Sequence, residues 1–315
     1  MPTRFRYTLH QLRIFHAVAE HGGVTRAAAA LHLTQPTVSM QIRQLNEALG
    51  VTLLAPRGRV LRLTPAGQEA LEFTKTLLRA AESLTERLAA IEGMTRGRLR
   101  LTAASTAEYF VPRLLGRFQQ AHPGVTVELR VVNRAEVLDR LRQDVDDLYV
   151  MAQPPSEEPV VAEPFLDNPL VVIAPLTHPL AKRRRIALAD LAGHEFVVRE
   201  PGAGTRLIAD TFLAARGLRL STRLELGSNE AVKQAVIGGL GLAVMSLHAL
   251  RDELVHHRRL RVLPVDGFPI PSSWHGVRRS DRAPTRVAEA FQDFLRAAAP
   301  GLAADLAPLL QRRRG

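Results

Sequence analysis

The hydrophobic period of this chain changes once, at Gly93-Met94-Thr95-Arg96-Gly97. Before that break apolar residues recur every three or four positions; after it, short apolar runs alternate with helical segments. A helical stretch and a strand–helix alternation cannot share one repeating core, so the chain has to build at least two folding units. Its 315 residues agree, being too many for a single compact core.

The helical part begins with Leu9 to Glu20, which places Leu9, Leu12, Phe15, Val18 and Ala19 on one face, and His21-Gly22-Gly23 stops it. Thr25 is the expected N-cap of a short second helix, Arg26 to Leu31. Thr34 is the expected cap of a third, which carries Pro36 near its start and runs through Val38, Ile42 and Leu45 to Leu49 before Gly50. Two helices joined by a tight turn, the second opening Thr-Gln-Pro-Thr, have the dimensions of a helix-turn-helix. Val51 to Leu54 and Val60 to Leu63 read as two short strands around Arg57-Gly58-Arg59, a wing with arginines at its tip.

Thr64-Pro65 then opens a long helix from Ala66 to about Glu92, with an apolar seam of Ala70, Leu77, Ala81, Leu84, Leu88 and Ile91. Steps of three and four of this kind suit pairing with a second helix, the plain alternative being a helix packed on its own domain. Charge follows the same division. Residues 1–65 hold Arg4, Arg6, Arg13, Arg26, Arg43, Arg57, Arg59 and Arg62 against only Glu20 and Glu47, in a chain of formal net charge +11. A concentrated positive end suits a polyphosphate partner. In the third helix Thr34, Gln35, Pro36, Thr37, Ser39 and Met40 are small or amide-bearing, Gln suits a bidentate contact with adenine, and Arg43 lies one turn on. Arg57 and Arg59 are placed for backbone or minor-groove contacts.

Beyond the break, expected strands are Leu99 to Ala103, Val125 to Val132, Asp147 to Met151, Leu170 to Ile173, Phe196 to Val198, Thr222 to Leu226, Leu242 to Met245, Arg261 to Leu263 and Trp274 to Val277. Helices such as Val111 to Ala121, Glu136 to Gln143, Arg206 to Arg216 and Glu230 to Ile237 fall between them, which predicts α/β lobes with mostly parallel sheets and a cleft between two lobes. Four helix starts follow strands there. Ser105, Thr106, Asn133 and Arg134 belong to two that resemble capping boxes, with Glu108 and Glu136 three residues on; Gly204, Thr205 and Arg206, and Ser228 and Asn229, belong to the others. Helix N-termini favour anions, so a cleft lined by several suits a phosphorylated or carboxylated metabolite, with Arg134, Arg206 and Lys233 adding charge. The plain alternative for each is a residue that caps its own helix.

Phe15-His16-Ala17-Val18-Ala19-Glu20-His21-Gly22-Gly23, Thr25-Arg26-Ala27-Ala28, Leu33-Thr34-Gln35-Pro36-Thr37-Val38-Ser39 and Leu63-Thr64-Pro65-Ala66-Gly67, in this order, resemble the LysR-type transcriptional regulators. The resemblance continues through the long helix and both lobes. It implies an α/β chain overall: a winged helix-turn-helix at 1–65, a linker and dimerisation helix at 66–93, a hinge at 94–97, and two periplasmic-binding-protein-like subdomains. These would be 98–166 with 270–297, and 167–269, followed by a tail at 298–315. It further implies double-stranded DNA with a dyad-symmetric operator as partner, assembly to a dimer and then a homotetramer, and RNA polymerase as a candidate contact. Gln35, Pro36, Ser39 and Met40 would face base edges. Leu53-Leu54-Ala55-Pro56-Arg57 stands where the family usually has Leu-Phe-x-Arg, which leaves open whether Arg57 or Arg59 enters the groove.

Within the family, Val172-Ile173-Ala174-Pro175, Arg199-Glu200-Pro201-Gly202-Ala203-Gly204-Thr205-Arg206, Glu225-Leu226-Gly227-Ser228-Asn229-Glu230 and Asp266-Gly267-Phe268-Pro269 are similar to the CbbR-type regulators of carbon dioxide fixation operons. That likeness implies a Calvin-cycle or redox metabolite as effector: ribulose bisphosphate, phosphoglycerate, phosphoenolpyruvate or NADPH. Tyr149 and Gly276 depart from the apolar residues commoner in such strands.

Other classes are disfavoured. Cysteine is absent, which removes thiolate catalysis and cysteine zinc sites, and no GxSxG, P-loop, GxGxxG after a strand or HExxH occurs. No catalytic residue, metal site or bound cofactor is therefore expected; His256-His257 adjoins two arginines in a surface run. Without a long apolar run or an apolar stretch after the arginines of Met1 to Arg6, the expected address is the cytoplasm, away from membranes. A solute-binding protein for transport could share the lobes, but the basic helix-turn-helix argues against it.

Overall fold

The computed structural model describes residues 6–57, 60–91, 96–257 and 259–311. The chain divides into two compact units, Met1–Ile91 and Glu92–Gly315, each with its own core. Met94 and Thr95 of the segment read as a hinge, and the end of the chain beyond Gln311, lie outside the described residues.

In the first unit, α1 (Leu9–His21) is opened by a reciprocal cap between Thr8 and Gln11, and closed by Gly22 in the left-handed region. Helix α2 (Val24–Ala30) starts earlier than the sequence suggested. The two glycines turn the chain so tightly that the amide of Ala27 already bonds the carbonyl of Gly23 (3.1 Å), which places Thr25 inside the first turn instead of capping it. Thr34 caps α3 (Gln35–Leu49) as expected, and Gly50 ends it at φ 71°. Leu12, Ile14, Phe15, Val18, Val38, Leu45 and Leu53 form the core.

The wing pairs β1 (Leu54–Arg57) with β2 (Val60–Leu63) antiparallel. Its first strand begins three residues later than expected, because Val51 to Leu53 is committed elsewhere. The amide of Leu53 bonds the Asn46 side chain (3.1 Å), and the Thr64 hydroxyl donates to the carbonyl of Thr52 (2.7 Å). Helix α4 (Pro65–Ile91) follows, with Thr64 accepting from the amide of Gly67 (2.9 Å). A Cβ at position 67 would stand 2.0 Å from the carbonyl oxygen of Leu53, so only glycine permits this approach.

The second unit folds as two lobes. The described residues of the first lobe form a five-stranded sheet of β3 (Gly97–Ala104), β4 (Val125–Val132), β5 (Leu148–Met151), β6 (Val160–Asp167) and β12 (Ser273–Arg279), in the order β4-β3-β5-β12-β6. Helices α5 (Val111–Ala121), α6 (Arg134–Arg142) and α9 (Arg286–Gln311) accompany it. In the second lobe, β7 (Leu170–Pro175) lies between β10 (Ala243–Ser246) and β11 (Leu260–Val262), and β8 (Glu195–Arg199) pairs with β9 (Ser221–Leu226). Helices α7 (Gly204–Ala214) and α8 (Asn229–Ile237) each follow a strand of that pair.

Three expectations need correction here. The sheets are mixed: β3 runs parallel to β4 and β5, and β8 to β9, but β12 is antiparallel to both its neighbours and so are β10 and β11 to β7. The returning crossover imposes this, because β12 re-enters the first lobe from the second. Strand β6 was not anticipated. Pro164 interrupts its pattern, and it is tolerated because β6 is an edge strand. Residues 298–311, read as part of a tail, belong to α9. Ala298, Ala299, Leu306 and Leu309 are buried, with Pro300 and Pro308 inside the helix. One end of α9 packs Val287, Phe291 and Leu295 into the first-lobe core, and the other packs Leu306 and Leu309 against Val171, Val232 and Met245 of the second.

The two crossovers run side by side: the amide of Asn168 donates to the carbonyl of Ser272 (2.8 Å), and Leu170 and Ile270 exchange backbone bonds. Tyr149 is fully buried, yet its hydroxyl is satisfied, accepting from the amide of Asp146 and donating to the carbonyl of Arg140 (both 3.0 Å). Gly276 faces the side chain of Gln292.

Candidate functional site

Two candidate surfaces emerge, one in each unit. In the first, α3 buries Val38 and Leu45 and turns Gln35, Pro36, Met40 and Arg43 to solvent, with Thr37 and Ser39 half-buried. Thr34 and Thr37 spend their hydroxyls on each other (2.8 Å) and on the cap. The side chains of Gln35, Ser39 and Arg43 make no hydrogen bond to a described residue, so their groups are available to a partner. Arg59 and the side chain of Arg57 lie outside the described residues. Along α4, Ala70 and Leu77 pack on the core of their own unit. Leu84 and Leu88 of the expected seam are more than half exposed, and Phe73 joins them at 59%.

The second surface is a cleft between the lobes of Glu92–Gly315, about 360 Å³ counting the part open to solvent. The first lobe contributes Ser105, Thr106, Arg134 and Trp274, and the second Arg199, Gly204 and Thr205, while Asn168 comes from a crossover. Among the described lining residues there are two guanidiniums and no carboxylate. The floor is bonded across the lobes. Arg199, 3% exposed, donates through Nη2 to Ser105 Oγ (3.2 Å) and through Nη1 to Asn229 Oδ1 (2.5 Å). Its Nε and Nη2 also grip both oxygens of Glu200 (2.7 and 2.9 Å). Asn229 Nδ2 donates to Thr106 Oγ1 (3.2 Å), and the amide of Ala135 to the carbonyl of Gly202 (3.1 Å). Lys233, paired with Glu230 (2.8 Å), holds its ammonium 5.4 Å from the Tyr109 ring centre.

Of the residues expected from sequence, the structure brings Ser105, Thr106, Arg134, Gly204 and Thr205 into the cleft wall, with Asn229 immediately behind. It does not bring in Asn133, Ser228 or Arg206. Asn133 and Ser228 accept from the amides of Glu136 and Ala231 as helix caps, and Arg206 pairs with Asp210 (2.5 Å) while donating to the carbonyl of Arg199 (3.0 Å). Ser105 is in the wall for a different reason than expected. It caps nothing, because the 3-10 turn Ser105–Tyr109 starts from Ala104 without a side-chain bond.

Arg199, Asn168 and Trp274 were not anticipated. Arg199 ends β8, and its buried charge is paired with Glu200, the next residue. Arg134 donates through Nε to the carbonyl of Gln153 (3.1 Å), and its other N–H groups bond no described residue. Burial and the charge of Arg142 lower its pKa. Trp274 packs edge-on to Phe110 at 5.4 Å, and its buried Nε1 has no partner among the described residues.

An exposed reading helix on a basic unit and a two-lobed unit with a cation-lined cleft define a ligand-responsive DNA-binding regulator. Residues 9–68 match the bacterial regulatory helix-turn-helix protein of the lysR family, and residues 92–300 match the LysR substrate binding domain. The chain is 43% identical over 288 residues to the HTH-type transcriptional activator CmpR of Synechocystis sp., covering 91% of this chain and 94% of the relative. It is 45% identical over 291 residues to the RuBisCO operon transcriptional regulator of Acidithiobacillus ferrooxidans, covering 92% and 94%. The solved regulatory domain of Synechocystis CcmR, in complex with 2-PG, is 41% identical and superposes with a TM-score of 0.61 over 64% of this chain and 97% of that domain. The chain belongs to the LysR family of transcriptional regulators.

Proposed function

We propose that this chain controls carbon-fixation genes, binding a dyad-symmetric operator through α3 and the wing, with the affinity set by a small anionic metabolite in the cleft. The cleft carries the ligand half of this reading: the free N–H groups of Arg134, the N-terminus of α7 and several hydroxyls meet there, while Arg199 is held by Glu200. The names of the relatives carry the genetic half. Ribulose bisphosphate, phosphoglycerate, phosphoenolpyruvate and NADPH are the candidate effectors, and the 2-PG bound to CcmR favours the small phosphorylated acids among them. Gln35, Pro36, Ser39, Met40 and Arg43 read or grip DNA, with Thr34 and Thr37 shaping the helix start and Arg57 or Arg59 reaching the backbone.

The bare stripe of Phe73, Leu84 and Leu88 supports dimerisation through α4, on which a homotetramer builds. RNA polymerase is the further partner this reading suggests, and the cytoplasm the compartment. No described helix is long and apolar enough to cross a membrane.

The test is thermal unfolding of the full chain against these metabolites and 2-phosphoglycolate. A selective ligand at a hundred times its dissociation constant stabilises the protein by about 2.7 kcal/mol. A flat panel would remove the proposed effector class.

A further inference from the structure

Several polar side chains of the cleft wall already accept a bond from the protein and keep a hydrogen to donate. Ser105 Oγ accepts from Arg199, and Thr106 Oγ1 from Asn229, so each hydroxyl retains its hydrogen for another partner. Asn168 Oδ1 accepts from the Ser246 hydroxyl (2.6 Å), which leaves its amide hydrogens. Arg134 has no acceptor and, apart from Nε, bonds no described residue. The Nε1 of Trp274 is a group that can only donate. Its residue is 1% exposed and lines the cleft, and Nε1 is buried without a partner among the described residues. Buried donors in folded proteins are almost always paired, so an unpaired one in a ligand cleft calls for a ligand atom.

We infer that Trp274 is a ligand-contacting, specificity-determining residue. Its indole N–H donates to a second acceptor group of a small dianion, whose first anionic group lies on Arg134 and the N-terminus of α7. This rests on the cleft being the effector site, as proposed above, and adds to it that the ligand has to present oxyanions at both ends. With free Arg134 N–H groups and no carboxylate in the described lining, a positively charged end is left unmatched. A compact acid bearing one phosphate and one carboxylate satisfies both ends, whereas inorganic phosphate fills only the Arg134 end.

The chain contains a single tryptophan, so the full-length protein gives one indole N–H resonance. Saturation with whichever of 2-phosphoglycolate, 3-phosphoglycerate and phosphoenolpyruvate binds tightest should move that resonance downfield, while inorganic phosphate leaves it in place. By calorimetry, Trp274→Phe should weaken the tight ligand about tenfold and leave phosphate unchanged, the cost of one hydrogen bond. Arg134→Met should weaken both. If the indole resonance does not move and Trp274→Phe binds like the wild type while Arg134→Met loses the ligand, the inference falls and the cleft survives as the effector site. If both variants bind like the wild type, or no probe binds at all, both readings fall together. Should Trp274→Phe fail to fold, the indole resonance of the unaltered chain decides alone.

Discussion

Helix α3 and the interlobe cleft are built on opposite terms. On α3 the groups offered to a partner are exposed and unbonded, and the helix that carries them is held by residues on its other face, Val38 and Leu45. In the cleft the residues that would meet a ligand are also the ones that tie the lobes together. Ser105 and Arg199 are 94 positions apart in the chain, and Thr106 and Asn229 are 123 apart. A reader of this kind can change its specificity without touching its fold. A sensor of this kind places its ligand against contacts that hold the lobes together, so a ligand that favours one lobe arrangement shifts the population toward it.

The contrast breaks most easily at Arg199. Replacement by Met strands Glu200 and Asn229 beside a buried apolar chain, and should cost about 3–5 kcal/mol in urea unfolding of the second unit. A loss below about 1 kcal/mol would mean that the lobe contacts are incidental. Leu309→Ala, at the far end of α9, should cost about 2–3 kcal/mol, because a buried side chain between core elements is removed. Were 298–311 a tail, the same change would be silent. Gln35→Ala with Ser39→Ala should reduce specific operator affinity by about 1–3 kcal/mol per lost base contact and leave the unfolding midpoint within about 0.5 kcal/mol. Specific binding that survives the double change would remove α3 as the reader.

The smallest effect is one of pH. Burial lowers the pKa of His248 below its ordinary 6.5, and the carbonyl of Asp167 only partly offsets this. Its ring packs beside Phe110 and Trp274. As pH falls below 6.5 the unfolded chain takes up the proton first. The stability that His248 contributes is therefore complete above 6.5 and declines below it, by at most about 1.4 kcal/mol per pH unit. His178 and His275 shift in the same direction, so His248→Leu should flatten the dependence of melting temperature on pH between 7.5 and 5.5 without abolishing it.

The same contrast explains what could be read from the sequence. The recognition helix is a local object. Thr34, Pro36 and Gly50 mark its ends, its apolar spacing fixes the inner face, and the exposed residues follow. The strands with continuous apolar runs, such as β5 and β7, were legible for the same reason. What escaped depends on distant chain segments. Strand β6 exists because β12 returns to pair with it, the antiparallel half of each sheet because the chain crosses twice between lobes, and the end of α9 because two cores accept one helix. Arg199 and Trp274 were invisible as site residues, since nothing near them in sequence reveals what lies opposite. Asn133 and Ser228 carried the local signature of a helix start, and capping is the role they fill.

The central claim is that occupancy of the cleft alters DNA binding. It is tested most directly by titrating the full chain onto labelled operator duplex, recovered by footprinting, with and without saturating 2-phosphoglycolate or the tightest related acid. The account predicts that the ligand changes operator affinity severalfold for the wild type, and that Arg134→Met binds the same duplex equally well but no longer responds. An Arg134→Met protein that responds like the wild type would contradict it.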